Sequence, residues 1–529
     1  MLKLEWKVRP SILVPEKKEA PPTKNTNSAT AKACAVESSQ SLFGPAELLT
    51  LGRFLAFCIT GCLPFVLVRH LTKVEFGTYK QAFLISGTLS MISQLGIATS
   101  LYYFLPQSQA AGRYVCNTII FLLAMGVACV AAVLLGRQPI AAWLNNPALN
   151  EHLPWIGLMT AFIMVSVILE IVMICRRRYL YASATYALSD GLRAMCLLVP
   201  VCFGWGLRGL FIGAVLATGA RVIAMLGYFG TEFRGTLLPD AELFKSQLQY
   251  ALPFAGAIII EIAQKNYHQY FISSHFDAAT FAIYAAGCLT IPFIDFVASP
   301  SGDVMMVKMR EAHAVGNTSL VLELWNTTTR KLALLFLPLV VFCIIVSRDL
   351  IITLYTRAYE ASVPVFIAWS LAIVFSAVLV DGALRVFAET RFLFFNGAMK
   401  LCLTAALLGY FVRSFDLVGA VAVNLIVGVI GRIVSLARMK QVLKVRWAEV
   451  LPWNSLGAIT LFSVAAGIPA ILLKDGFHTF PLVALAIAGL TYSISYGVLV
   501  LSFGLVPIPD VERIWVALRK SLSLSAATE

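Results

Sequence analysis

The feature that most constrains this chain is a series of apolar stretches, each near twenty residues long, recurring from residue 46 to residue 504 with short polar breaks between them. A helix needs about 20 mostly apolar residues to cross the hydrocarbon of a bilayer. Fourteen windows meet that need: 46–68, 81–105, 114–136, 153–175, 180–203, 208–230, 250–273, 279–301, 329–347, 363–388, 392–412, 417–437, 454–473 and 479–504. The pair 180–203 and 208–230 is divided only by a Gly-Trp-Gly-Leu-Arg turn. A membrane β-barrel would instead show short alternating segments, and none dominate. Composition agrees: 59% of residues are hydrophobic and 13% charged, against roughly 25% charged in soluble domains, and mean hydropathy is +0.82. The sequence predicts an all-α membrane protein of about 14 transmembrane helices.

The net charge of +13 is placed for orientation rather than for nucleic acid. With both termini inside, 25 of the 41 Lys and Arg fall in cytoplasmic loops and tails, and nine fall on the other side. Arg176-Arg177-Arg178 and the stretch from Arg438 to Arg446 are strong inside anchors. The expectation is a multi-pass protein of a cytoplasmic membrane with both ends cytoplasmic. Residues 1–44 are rich in Lys, Pro, Thr and Ser and lack the apolar core of a signal peptide, so they read as a disordered cytoplasmic tail. Of eleven cysteines, all but Cys34 fall in or beside apolar windows, without a CxxC pair or histidines at metal spacing. They read as small packing residues.

Two stretches about 205 residues apart share a pattern. Glu75-Phe76-Gly77-Thr78-Tyr79 opens the second window and Thr280-Phe281-Ala282-Ile283-Tyr284 the eighth. Gly206-Leu207-Arg208-Gly209 precedes the sixth window, Asp416-Leu417-Val418-Gly419 the twelfth, and these two helices carry late arginines, Arg221 and Arg432. The reading is two six-helix halves of like orientation, an arrangement that recurs in secondary transporters with the site between the halves. The expected organisation is an N-lobe over 45–247, a C-lobe over 248–445, two added helices over 446–505 and a cytoplasmic tail over 506–529.

Those same segments carry a resemblance. Glu75-Phe76-Gly77-Thr78-Tyr79, followed by Leu95-Gly96-Ile97-Ala98-Thr99-Ser100, resembles the start of Wzx-type polysaccharide flippases. These are the O-antigen and exopolysaccharide transporters of the multidrug/oligosaccharidyl-lipid/polysaccharide exporter superfamily. Ala358-Tyr359-Glu360-Ala361-Ser362-Val363-Pro364 resembles their short segment before the tenth helix, and the resemblance covers about residues 45–505. It implies a MATE-like V of two bundles in the bacterial inner membrane. It further implies a lipid-linked oligosaccharide as substrate, ion-driven antiport, and polymerase or glycosyltransferase proteins as partners. The sequence lacks the Arg-rich first helix and Pro-Asn-x-x-Arg segment expected of lipid II flippases, and its last two windows exceed the twelve of typical drug exporters.

Ionisable residues inside a bilayer are costly and are functional candidates by default. Glu261, Gln264, Lys265 and His268 follow at i, i+3, i+4 and i+7, along one helical face. Glu261 and Lys265 could also merely neutralise each other. Asp381 and Arg385 repeat the i,i+4 spacing in the tenth window; Asp295 lies in the eighth, Arg53 in the first, and Lys80 where the second begins. Asp190 and Arg193 read as a local ion pair, while Glu170, Arg221, Glu389 and Arg432 read as snorkelling near helix ends. A polyprenyl diphosphate needs fixed cations, so Arg53, Lys80, Gln264, Lys265, His268 and Arg385 are the substrate-binding candidates, with Arg53, Lys265 and Arg385 expected around a cavity between the halves. Glu261, Asp295 and Asp381 are the candidates for binding a coupling proton or sodium ion. No G-x-x-x-x-G-K-[ST] loop is present for nucleotide hydrolysis. No cofactor is expected. An enzyme is disfavoured by short outer loops and the absence of DxD and HExxH motifs; a small-molecule exporter of the same fold and a glycan polymerase or transferase stay as alternatives.

Overall fold

The computed structural model describes residues 45–474 and 481–505, and every regular element among them is helical. In the first half these are α1 (Pro45–His70), α2 (Lys73–Ser93), α3 (Ile97–Phe104), α4 (Ala111–Leu135), α5 (Arg137–Trp143), α6 (Leu149–Ser166), α7 (Ile168–Cys175), α8 (Tyr179–Cys202) and α9 (Gly206–Glu232). The chain continues through α10 (Ala241–His275), α11 (Ala278–Gly287), α12 (Pro292–Ala314), α13 (Thr318–Ile345) and α14 (Ser347–Tyr355). Then follow α15 (Val363–Ser370), α16 (Val374–Ala377), α17 (Val380–Val386), α18 (Thr390–Leu443), α19 (Trp447–Val450), α20 (Trp453–Lys474) and α21 (Pro481–Ser502).

Each apolar window falls on one helix or on a run of bent or broken helices, three of them (α15 to α17) in the window 363–388. By length and composition alone, eight described helical stretches could cross a membrane, or nine if the pair α2 and α3, bent by 46°, is one span. The other passages are interrupted or carry charge, as α8 does with Asp190 and Arg193, which form the expected ion pair at 2.8 Å. The boundaries have local causes. Thr72 and Glu75 make a reciprocal capping box at the start of α2, and Asp240, Asp277 and Asn317 cap α10, α11 and α13 with their side chains. The bend between α2 and α3 sits at Leu95 and Gly96, both at positive φ. Non-helical Phe415 and Asp416 divide α18 into two passages, as the two sequence windows require.

Helices of the first half pack mainly on one another, with α1 on α8, α8 on α9, α6 on α4 and α9 on α6. In the second half α10 packs on α18, α12 on α13, and α20 lies between α13 and α21. The halves meet along α2, α10 and α11, where the two repeat segments seen in the sequence face each other. A Cβ on Gly77 would collide with the Ala278 carbonyl, so this crossing needs glycine. Around it Gln81 donates to Ser273 at 2.8 Å, Asn266 to Thr88 at 2.9 Å, and Trp143 stacks on Tyr270 at 5.6 Å. Phe65 and Phe76 meet Tyr355 edge-on, and Arg69 donates to the Leu354 and Thr353 carbonyls. These contacts join α1 and α2 to α14. Nearer the Arg-rich end, α12 touches the first half through Phe54 and Phe296, with ring centroids 5.2 Å apart.

Candidate functional site

The second half holds a half-open cavity of about 170 Å³ between α10, α15 to α17 and both passages of α18. Gln264 reaches it from α10, Trp369 and Phe375 from the broken stretch over 363–377, Asp381 from α17, and Asn396, Lys400, Asn424 and Arg432 from α18. Glycine makes the room: a Cβ on Gly431 would stand 2.6 Å from the Lys400 stem, and one on Gly428 2.6 Å from the Phe375 ring.

Asp381 and Arg432 form the electrostatic centre. Arg432 donates to the Asp381 carboxylate at 3.1 Å and to the Phe375 carbonyl at 3.2 Å, and its guanidinium lies 5.9 Å from the centre of the Phe375 ring. Ser435 donates to the other Asp381 oxygen at 3.2 Å. Asn396 is buried and donates to Ser435 at 2.9 Å, while its carbonyl oxygen has no hydrogen-bond partner among the described residues. Lys400 has no carboxylate partner among the described residues. Asp381 neutralises one of the two cations, so the walls carry an excess of one positive charge.

The first half holds a counterpart. Arg221 meets Glu170 at 2.6 Å. Asp381 follows Glu170 by 211 positions, Arg432 follows Arg221 by the same 211, and the partners are 51 residues apart in each pair. The exposures differ. The Glu170 side chain is 2% exposed, against 36% for Asp381.

Sequence reasoning therefore needs correcting at several places. Arg221 and Arg432, read as snorkelling near helix ends, instead neutralise carboxylates on neighbouring helices, because an acid inside a bilayer requires a partner. Glu389 is likewise bound, to Arg438 at 2.8 Å. Asp381 does not pair with Arg385 one turn away; Arg385 is exposed on α17 with no ion pair among the described residues. Glu261 and Lys265 are exposed on α10 and form no pair with each other among the described residues. His268 is buried: it bonds Tyr284 at 2.6 Å and packs its ring 5.6 Å from Trp369, behind the cavity wall. Lys80 is half-buried on α2 with its ammonium 5.4 Å and 5.9 Å from the Phe76 and Tyr79 ring centres. Asp295 is exposed on α12, and the side chain of Arg53 lies outside the described residues.

Of the nine sequence candidates, Gln264 and Asp381 line the cavity. Trp369, Asn396, Lys400, Asn424 and Arg432 line it without having been candidates. A signal existed: Asn396 and Lys400 are at i,i+4, and Asn424, Gly428, Gly431, Arg432 and Ser435 follow one helical face in an otherwise apolar run. Among the described residues no group of three His, Cys, Asp or Glu could hold a metal ion.

The all-helical architecture, the two-part repeat and the charged interior define a helical membrane protein built from two related halves. Within that class, the family model for polysaccharide biosynthesis proteins matches residues 66–364, and the chain belongs to that family. The fold is similar to that of the lipid II flippase MurJ in an inward closed conformation, with a TM-score of 0.68 at 14% identity over 87% of this chain and 99% of that one. It is also similar to an inward-facing multidrug resistance MATE family transporter of the MOP superfamily, with a TM-score of 0.57 at 13% identity over 78% of this chain and 98% of that one. A MOP superfamily transporter from Pyrococcus furiosus gives a TM-score of 0.51 at 13% identity, covering 76% and 98%. No curated protein sequence matches the chain.

Proposed function

We propose that this protein is a flippase that moves a polyprenyl-diphosphate-linked oligosaccharide from the cytoplasmic to the outer leaflet during cell-surface polysaccharide biosynthesis. The observation that carries the reading is a charged, amide-lined interior inside a MurJ-like fold, in a chain of the polysaccharide biosynthesis family. The Arg-rich end is cytoplasmic by the positive-inside rule, both termini lie on that side, and the membrane is the bacterial inner membrane. The halves, 45–247 and 248–445, rock as bodies about the seam at Gly77 and Ala278, with 446–505 added to the second. In this reading the glycan head enters from the Arg-rich end and its tail follows in lipid.

Arg53, Lys80, Lys265 and Arg385 are the proposed diphosphate contacts, since an anionic head requires fixed cations. Coupling to a proton or sodium gradient runs through Glu261, Asp295 or Asp381. Export unchanged with both gradients collapsed would remove that part. The protein itself makes and breaks no covalent bond; glycosyltransferases supply its substrate and a polymerase consumes the product. MATE-like neighbours fit a drug exporter equally in fold, yet walls with excess positive charge disfavour cationic drugs.

Deletion tests the reading. Intact lipid-linked oligosaccharide should build up in the cytoplasmic leaflet as surface polymer disappears. Oligosaccharide that still reaches the outer leaflet, with only polymer missing, would assign a polymerase instead.

A further inference from the structure

We propose that the cavity inside the second half is a subsite for a single acidic pyranose, a sugar ring bearing a carboxylate. The inference rests on the flippase reading above and adds the chemical class of one sugar in the cargo.

Size gives the first limit. At about 170 Å³ the cavity is below the roughly 300–1,000 Å³ of sites for drug-sized ligands and far larger than one bare ion. It accommodates one small polar ring, not a lipid head with its chain. Charge gives the second. Arg432 is engaged by Asp381, which leaves Lys400 as a cation without a carboxylate partner among the described residues. Bringing in a carboxylate completes that pair in a low-dielectric wall; an inorganic cation would meet an uncompensated positive charge.

The third limit is hydrogen-bonding character. Asn396 is 5% exposed, and its amide donates inward to Ser435 while its carbonyl oxygen is left without a partner among the described residues. Asn396 thus belongs to the bonding of the wall itself, and the amides open to a ligand come from other residues. Gln264 and Asn424 add amides that both donate and accept. Trp369 supplies a flat apolar face for the C–H side of a pyranose, and His268 braces it from behind. Cation, amides and indole together match a ring with hydroxyls and one carboxylate. A simple anion would use only Lys400.

The test is ligand-observed NMR on the full chain in lipid nanodiscs, with free glucuronate as probe, glucose as neutral control and acetate as ringless anion. Glucuronate should bind about tenfold more tightly than glucose, as one added charge pair implies, and acetate should fail to displace it. Lys400→Met should bring glucuronate down to the level of glucose; Lys400→Arg should keep the preference. Equal binding of glucuronate and glucose, or displacement by acetate at matched concentration, would each overturn the proposal. So would failure of glucuronate to bind the wild-type chain. Because the probe carries no lipid, a chain that binds glucuronate yet leaves no lipid-linked oligosaccharide behind on deletion refutes the flippase reading and not the subsite.

Discussion

Glu170 with Arg221 in the first half and Asp381 with Arg432 in the second stand at matching places in the repeat, with the same 51-residue spacing. One pair is sealed, its acid 2% exposed; the other opens onto a cavity, its acid 36% exposed. The surrounding residues explain the divergence. At the same 211-residue offset, Gly428 and Gly431 correspond to Ala217 and Ala220, and Trp369 corresponds to Leu158. Where the second half carries glycine, the first half carries alanine methyls. The repeat thus supplies one electrostatic device twice, once as internal bracing and once beside an accessible polar chamber.

The largest expected effect breaks the comparison by removing each acid. Glu170→Ala empties a sealed site and leaves Arg221, itself 25% exposed, without its carboxylate, which should cost about 3 kcal/mol, whereas Asp381→Ala, in a partly exposed pair, should cost about 1 kcal/mol or less. Thermal unfolding in detergent reads both, and equal losses would end the distinction drawn here. Function should respond the other way. Asp381→Asn should fold and lose most glycan export, while Glu170→Gln, which keeps hydrogen bonding to Arg221, should retain export in a complementation assay.

Smaller changes sharpen the point. Gly431→Val pushes a side chain against the Lys400 stem and should lower export severalfold with little change in melting temperature. Ala220→Gly in the first half should cost about 1 kcal/mol through helix propensity and leave export intact. The smallest effect belongs to a charge in neither pair. Asp240 caps α10, and hydrogen bonds from the Leu243 amide first, then from Arg113 and the Glu242 amide, hold its carboxyl below the usual carboxylate value. A lowered folded-state pKa stabilises at neutral pH and fades as pH falls through that value. Asp240→Asn should therefore lower the neutral melting temperature slightly, leave the acid value nearly unchanged, and so flatten the acid side of the profile.

Much of the architecture was legible because lipid imposes it. Every apolar window coincides with a helical passage, and the break between the eleventh and twelfth windows falls at Asp416. Positive φ at Leu95 and the interruption between α11 and α12 were not read from the sequence, although Gly96 follows the first and Gly287 and Pro292 flank the second. The charges were found but mispaired. Spacing along one helix links Asp381 to Arg385 and Glu261 to Lys265, yet in a bundle a carboxylate can reach a neighbouring helix as easily as its own next turn. Asp381 finds Arg432 across 51 residues of sequence. Lys400 and Asn396 went unnoticed because a single lysine in an apolar run reads as a snorkelling side chain. Only the nearby glycines, Gly428 and Gly431, hint that space exists for it. The repeat itself held the better clue: two late arginines matched by two acids at one offset.

The account's central claim is that the chain transfers lipid-linked glycan across the bilayer and that the second-half pair, not its sealed counterpart, works in that transfer. The direct measurement uses vesicles carrying the purified chain and a lipid-linked oligosaccharide in both leaflets, exposed to an impermeant enzyme that cleaves the glycan. With the wild-type chain and with Glu170→Gln the inner-leaflet pool should be drawn out and cleaved, while with Asp381→Asn it should stay protected. Protection of that pool by the wild-type chain, or its full loss with Asp381→Asn, would contradict the account.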